Sequence, residues 1–300
     1  MKKQIVLAVL LMMGFSTLAF GDEVDNRFKQ ARKYLNDTNM TITVTVEQAF
    51  KQDAIMVMGE GVPKKGTTGG QRRLTAKTAA KVVAQRRLAE MLEGVAIVSE
   101  TTVKDSELVS DSIKTAVTGF IKGTQVVMED WNKEEETALV IIKVGMSGPK
   151  SFGALMYEKI LSEPKIKQEL EKPVYVPPAD IPPASASQGY DGLVIDATDY
   201  NFRPALINRI FNAKGEVLYD PAKISQKVLV EQGCGEYTNS VDKAKAALGK
   251  RGVKNPLVVK ASGTVSPSDL QVADAIAVQI FSANQGNGFM ADARVAFVLK

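Results

Sequence analysis

Proline is concentrated in one part of this chain, and that part divides the sequence. Six of the twelve prolines lie within residues 164–183. Proline has no N–H to donate to a ladder, and it biases the residue before it towards extended geometry. We therefore expect a semi-rigid, polyproline-like spacer, which loosens in the small polar residues 184–189. The chain should hold one domain on each side of it.

The N-terminal residues have the pattern of a secretory signal peptide. Lys2 and Lys3 precede an apolar stretch over 5–20, and small residues at positions 19 and 21 precede an acidic pair that begins at Asp22. This pattern favours cleavage between Gly21 and Asp22, with an uncleaved anchor as the alternative. We predict an exported protein of the periplasm or the outer-membrane periphery, or one secreted further, with no transmembrane span after leader removal.

Two absences restrict the chemistry that this protein can perform. The 300 residues include no histidine and one cysteine, Cys234. Nucleophile systems that depend on histidine, histidine zinc sites and intramolecular disulfides are therefore excluded. The net charge of +4 falls to about +2 without the leader, which gives no argument for a nucleic-acid partner. We predict a protein that is not an enzyme and that uses no cofactor or metal.

Apolar periodicity in the first domain alternates between that of strands and that of helices. It predicts strands within 36–48, 55–58, 96–103, 124–131 and 137–145, and helices over 74–95, 111–121 and within 151–170. Residues 132–136 should close a hairpin between the last two strands, with Trp131 at its rim over the core. Thr75 or its neighbours should cap the long helix.

The second domain gives a similar mixture of elements. Strands are predicted over 192–197, 255–261 and 289–299, with a hairpin in 211–219 and helices over 241–248 and 274–283. The fold class is therefore α+β, with two domains that each carry helices on a mainly antiparallel sheet. The predicted boundaries are 1–21 for the leader, 22–150 for the first domain, 151–189 for a helix and the Pro-rich linker, and 190–300 for the second domain.

Two polar features of the second domain could carry chemistry. Asp196, Asp199 and Arg203 follow a strand closely, and such carboxylates could hold Ca²⁺ or serve as acid and base. An ion pair between Asp196 and Arg203 that fixes the turn is the favoured interpretation. Cys234 lies between two glycines, where it could bridge two copies, although a buried residue in a turn is favoured.

Basic residues surround the start of the long helix. A glycine-rich loop with Lys64 and Lys65 could bind phosphate, but its spacing matches no known phosphate motif. The arginine pairs at 72–73 and 86–87 could bind an anionic partner, and a solvated helix face is the favoured alternative.

The first domain resembles a known family. Its helix is spaced by small residues that include Ala76, Ala80 and Ala84, and it leads into Val-Ser-Glu-Thr-Thr-Val at 98–103 and Gly-Phe-Ile-Lys-Gly at 119–123. Residues 42–145 thus resemble the twenty-kilodalton outer-membrane lipoprotein family, which includes flagellar lipoprotein P, and the amino-terminal domain of flagellar assembly protein T. The resemblance implies a structural or assembly role without catalytic residues. Typical members are lipidated at a cysteine where this chain has Asp22.

The second domain is similar to uncharacterised exported bacterial proteins, on the phrases Gly-Leu-Val-Ile-Asp-Ala at 192–197 and Arg-Pro-Ala-Leu at 203–206. We therefore predict a non-catalytic envelope protein with a structural, assembly or interaction role, associated with the outer membrane or the flagellum. Its partners would be envelope or appendage proteins or further copies of itself. The alternatives are a carboxylate-dependent hydrolase of envelope polysaccharide, acting through Asp196 and Asp199, and a periplasmic ligand-binding protein.

Overall fold

The computed structural model describes residues 24–178 and 189–300, so the predicted cleavage point between Gly21 and Asp22 lies outside the described residues. Before the first domain's core helix come α1 (Lys29–Thr38), α2 (Val46–Lys51) and β1 (Ala54–Gly61). The rest of this half comprises α3 (Gly70–Glu93), β2 (Ala96–Val98), β3 (Thr101–Thr102), α4 (Val103–Val109), α5 (Asp111–Lys122), β4 (Val126–Asn132), β5 (Thr137–Gly145), α6 (Phe152–Ile160) and α7 (Pro164–Leu170).

The second half begins with β6 (Gly192–Asp196), β7 (Arg209–Phe211), β8 (Val217–Tyr219), α8 (Gln226–Gln232), β9 (Glu236–Thr238) and α9 (Val241–Lys250). It ends with β10 (Pro256–Lys260), β11 (Gly263–Ser266), β12 (Asp269–Gln271), α10 (Asp274–Asn287) and β13 (Val295–Val298). Within the two described ranges, none of these helices combines the length and hydrophobicity that a membrane crossing requires.

The first sheet is antiparallel, in the order β1-β5-β4, and the predicted hairpin of β4 and β5 is confirmed. The helix α3 lies on one face of this sheet, and α1 covers the other face through Ala31 and Leu35, together with Phe28 just before it. The approach of α3 to β1 is close because β1 carries glycine where the two meet. A Cβ atom on Gly59 would lie 2.2 Å from the backbone oxygen of Ala80.

Three local predictions for the first half are wrong. The segment 36–48 is not a strand, since α1 ends at Thr38 and Thr45 caps α2. The strand predicted over 96–103 is broken into β2 and β3, because Thr102 and Asp105 form a capping box that begins α4. Thr75 does not cap α3, which begins one turn earlier, and its hydroxyl donates to the Gln71 carbonyl instead.

The second half departs from the predicted strand direction. Its main sheet has the order β10-β6-β13-β9, and all three pairings are parallel. The crossovers that contain α9 and α10 make this possible, because parallel neighbours need a long connection. The antiparallel expectation holds here only for the hairpins β7–β8 and β11–β12. The overall α+β class is confirmed.

Residues 179–188 of the predicted spacer lie outside the described residues, and the part before them is packed against the fold. Residues 164–170 form α7 instead of a polyproline spacer, with Pro164 in the first turn, where its missing N–H is tolerated. Val174 then bridges to Val217 of β8, and Tyr175 is buried. The two halves also share one continuous cluster of buried apolar side chains, so they pack as a single body.

Backbone hydrogen bonds cross between the halves as well. The Leu206 N–H donates to the Ala96 carbonyl at 2.9 Å, and the Ile207 N–H donates to the Ile97 carbonyl at 2.8 Å. The second half therefore extends the short β2–β3 sheet of the first half. Ala205 and Leu206, beside this contact, line a cleft.

Candidate functional site

A cleft of about 240 Å³ lies where the two halves meet. The first half contributes the turn between α2 and β1, the residues after β5, and one face of α6. The second half contributes the loop between α8 and β9. The lining residues with polar side chains are Asp53, Ser147, Tyr157, Glu231, Gln232, Cys234, Glu236, Tyr237 and Arg251.

Buried tyrosine hydroxyls hold the floor of this cleft together. Tyr157 of α6 donates to the Leu206 carbonyl at 2.9 Å, across the junction between the halves. Nearby, Tyr219 donates to the Cys234 carbonyl at 2.6 Å, and the Tyr237 hydroxyl lies 3.1 Å from the Ala205 carbonyl. Burial raises the pKa of these tyrosines well above the usual value, so the hydroxyls stay protonated and remain donors.

Cys234 is buried among these tyrosines, which confirms the favoured prediction for this residue. Its Sγ lies 3.0 Å from the Tyr237 hydroxyl and 3.6 Å from the Ala205 carbonyl oxygen. Burial raises the pKa of the thiol, so it is neutral and a poor nucleophile. The flanking Gly233 and Gly235 both have positive φ, which explains why glycine is found on each side of the cysteine.

Charged groups stand at the mouth of the cleft. Asp53 accepts hydrogen bonds from the Ser147 N–H at 3.0 Å and the Ser147 hydroxyl at 2.6 Å. Desolvation by the surrounding protein raises the pKa of Asp53, and the two hydrogen bonds from Ser147 oppose this shift. Arg251 donates to Glu236 at 2.7 Å and to the backbone oxygens of Gln232 and Ala293.

The residues singled out from the sequence do not form the expected cluster. Asp196 accepts from the Thr198 N–H at 3.0 Å and from its hydroxyl at 2.7 Å, so the predicted ion pair with Arg203 is wrong. Asp199 lies 3.5 Å from Lys260, and both side chains are largely exposed. Arg203 is exposed in a different cleft, beside Pro204 and Pro267. Over residues 24–178 and 189–300, no three acidic or cysteine side chains are grouped to hold a metal ion.

The pKa of Asp196 lies below the usual carboxyl value. Burial acts to raise it, but the two hydrogen bonds from Thr198 together outweigh that effect. A general acid near neutral pH needs the opposite shift.

A second polar cluster at the junction could not be found from the sequence. Arg209 of β7 donates to both carboxylate oxygens of Asp269 of β12, at 2.9 and 2.7 Å. The Ser99 hydroxyl of the first half joins the same cluster, 2.8 Å from Asp269 and 2.8 Å from Arg209. Both charged side chains are only 1% exposed. The ion pair therefore contributes to the interface between the halves.

Comparison with known proteins bears on the second half. Residues 192–300 match a family model described as the second domain of Tp0624 from Treponema pallidum. The match begins at β6 and includes the whole parallel sheet. A search of curated proteins finds no match to the chain. The resemblance of residues 42–145 to the outer-membrane lipoprotein family stays a prediction.

Proposed function

We propose that this protein is an exported, non-catalytic component of the cell envelope with a structural or assembly role. The observation that carries the proposal is that the reactive groups of the junction cleft are already hydrogen-bonded or buried. The tyrosine hydroxyls of the floor donate to backbone carbonyls, and the Cys234 thiol is neutral and buried. Tyr157 joins the two halves, and the other groups brace the second half at the junction, which suits a component that presents fixed surfaces to partners.

The leader supports the exported location. Its basic start, short apolar stretch and small residues before Asp22 have the features that a signal peptidase recognises. The proposal predicts a mature N-terminus at Asp22, which mass spectrometry of the protein recovered from cells can measure. A product that keeps its leader and fractionates with the cytosol would contradict it.

The assembly role is tested by photo-crosslinking in intact cells. A crosslinking amino acid is placed singly at exposed positions on separate surfaces, such as Leu108 on α4, Val258 on β10 and Val265 on β11. We expect adducts with an envelope protein or a second copy from at least one surface, and none without irradiation. Recovery of the monomer alone from every position would contradict the proposal.

Binding of a small ligand in the junction cleft is a second candidate function. Asp53 and Arg251 both line the cleft, so a carboxylate and a guanidinium are available to a polar molecule. The volume of about 240 Å³ lies below the roughly 300–1,000 Å³ typical of sites for drug-sized ligands. A ligand would therefore have to be small, and a thermal-shift screen of small polar metabolites against the protein and Asp53→Asn would detect it.

The hydrolase alternative has less support from the geometry, because Thr198 satisfies Asp196 and Asp199 faces solvent. An Asp196→Asn, Asp199→Asn variant with unchanged activity in every envelope polysaccharide assay would remove it.

A further inference from the structure

One segment of the chain concentrates positive charge. Residues 62–89 contain eight lysines and arginines and no aspartate or glutamate. Subtracting these eight charges from the net charge of +4 leaves −4 for the remainder of the chain. The segment covers the loop after β1 and most of α3. The charge of this protein is thus strongly asymmetric, although its total is small.

Some of these cations are neutralised within the fold. Arg72 pairs with Glu136, and Lys77 pairs with Glu129 on β4. Arg87 donates to the Met58 carbonyl at 2.8 Å. The other five make no ion pair with any residue that the structure describes: Lys64, Lys65, Arg73, Lys81 and Arg86.

The packing of α3 directs these cations to solvent. Its buried row, which includes Ala76, Ala80 and Ala84, lies against β1. The opposite row faces away from the sheet and carries Leu74, Val82 and Arg86, followed by the exposed Glu90, while Arg73 is exposed on the flank of the helix. About 1.5 Å of rise per residue places these two arginines roughly 20 Å apart, which makes an elongated and open surface.

Aliphatic side chains lie between the cations. Leu74 is 65% exposed and Val82 is 52% exposed, both on the solvent side of α3. Val62, at the end of β1, is 65% exposed near the start of the helix. Exposure of aliphatic side chains to water is unfavourable. Their position among unpaired cations therefore indicates a partner that offers both anionic and apolar groups.

We propose that this surface binds an anionic phospholipid membrane peripherally. We call it the basic face and define it by Lys64, Lys65, Arg73, Lys81 and Arg86 with Val62, Leu74 and Val82. Anionic headgroups attract clustered basic residues, and the acyl boundary accepts aliphatic side chains. The uncapped N-terminus of the 24-residue helix α3 adds partial positive charge at the same end.

Nucleic acid fits this surface less well. Proteins that bind single strands stack bases on aromatic side chains, and residues 62–89 contain no aromatic residue. Aliphatic groups in the centre of the basic face would contribute little on a phosphate backbone. The proposal does not depend on the function proposed above, because the basic face lies apart from the junction cleft.

The test is co-sedimentation of the complete protein with vesicles, at an ionic strength of about 0.15 M. Vesicles of phosphatidylcholine alone are compared with vesicles that also contain phosphatidylglycerol. We expect binding only to the anionic vesicles, with weakening as salt shortens the range of the attraction. No binding to the anionic vesicles would overturn the proposal.

Charge reversal locates the binding surface. Each basic residue near an anionic membrane raises affinity by about fivefold, so Arg73→Glu, Lys81→Glu and Arg86→Glu together should lower affinity by about 100-fold or more. The matched control reverses Lys243, Lys245 and Lys250, three exposed lysines on α9. All variants carry the same N-terminal residues, so any contribution of the leader cancels. Equal loss in the two triple variants would overturn the proposal.

The aliphatic residues distinguish lipid from other anions. Leu74→Gln with Val82→Gln should weaken vesicle binding by about tenfold, because apolar surface no longer enters the membrane. A parallel titration uses short duplex DNA. If DNA binds as tightly as the vesicles and the glutamine variant loses neither ligand, the basic face recognises phosphate groups in general and the lipid proposal is wrong.

Discussion

The buried ion pair between Arg209 and Asp269 should hold the two halves in one cooperative unit. Asp269 accepts four hydrogen bonds, two from Arg209 and one each from the hydroxyls of Ser99 and Ser266. The change Asp269→Asn keeps the size of the side chain and removes its charge. The guanidinium of Arg209 would then stay buried without a counter-charge.

The expected effect is large. Removal of one partner from a buried pair costs about 3–5 kcal/mol, whereas globular proteins are stable by only about 5–15 kcal/mol. Replacing both partners by apolar residues, as in Arg209→Met with Asp269→Leu, should recover most of the loss, since no buried charge remains. The control is Asp199→Asn at the exposed pair with Lys260, which should change stability by no more than about 0.5 kcal/mol.

Urea unfolding followed by two probes measures this prediction. Trp131, the single tryptophan, lies in β4 of the first half and reports on that half alone, whereas circular dichroism reports on the helices of both halves. With a slope of about 3 kcal/mol per molar urea, Asp269→Asn should lower the midpoint by about 1–1.7 M. Both probes should shift together.

A transition that splits would refute the reasoning. If the Trp131 midpoint stays at the wild-type value while circular dichroism shows an earlier step, the halves unfold separately. The shared core would then be too weak to couple them.

Three further predictions test the packing and the buried groups. Gly59→Ala should destabilise the protein by about 1–3 kcal/mol in urea unfolding because its Cβ meets the backbone of α3, whereas Gly119→Ala on α5, with open space around it, should be neutral or slightly stabilising. The Cys234 thiol should react with a thiol reagent only after denaturant is added, because it is buried and its pKa is raised, and rapid labelling of the folded protein would contradict this. Burial raises the pKa of Asp220, so the folded state holds this proton more tightly and its stability falls as pH rises from the ordinary value of 3.8 through the raised one. The stability of Asp220→Asn relative to wild type should therefore increase across that pH range. A difference in stability that stays constant with pH would refute the assignment.

Local patterns predicted the elements that have strong periodicity. The apolar row of α3 and the charged turn before β5 could be recognised in the sequence. The helix and the hairpin that they predicted are both present. The helix α1 was missed because it buries only Ala31 and Leu35, too few apolar residues for a visible period. The parallel direction of β6 and β10 was also missed, since pairing direction depends on the crossovers between strands.

The candidate site was less predictable than the elements. The burial of Cys234 was anticipated from its residue type, but two of the tyrosines around it, Tyr157 of α6 and Tyr219 of β8, come from other parts of the sequence. No local signal relates Arg209 to Asp269, sixty positions later. The expected pairing of Asp196 with Arg203 was wrong because a closer donor, Thr198, satisfied the carboxylate first.

The sequence by itself determined the inventory of chemical groups, the run of positive charge over 62–89 and most of the helices and strands. These properties depend on residues within a few turns of one another. Only the tertiary structure decided which strands are neighbours, which charges are buried and where the two halves meet. Such contacts join segments far apart in the chain, and they form because burying the shared apolar core outweighs the entropy lost in closing the long loops between them.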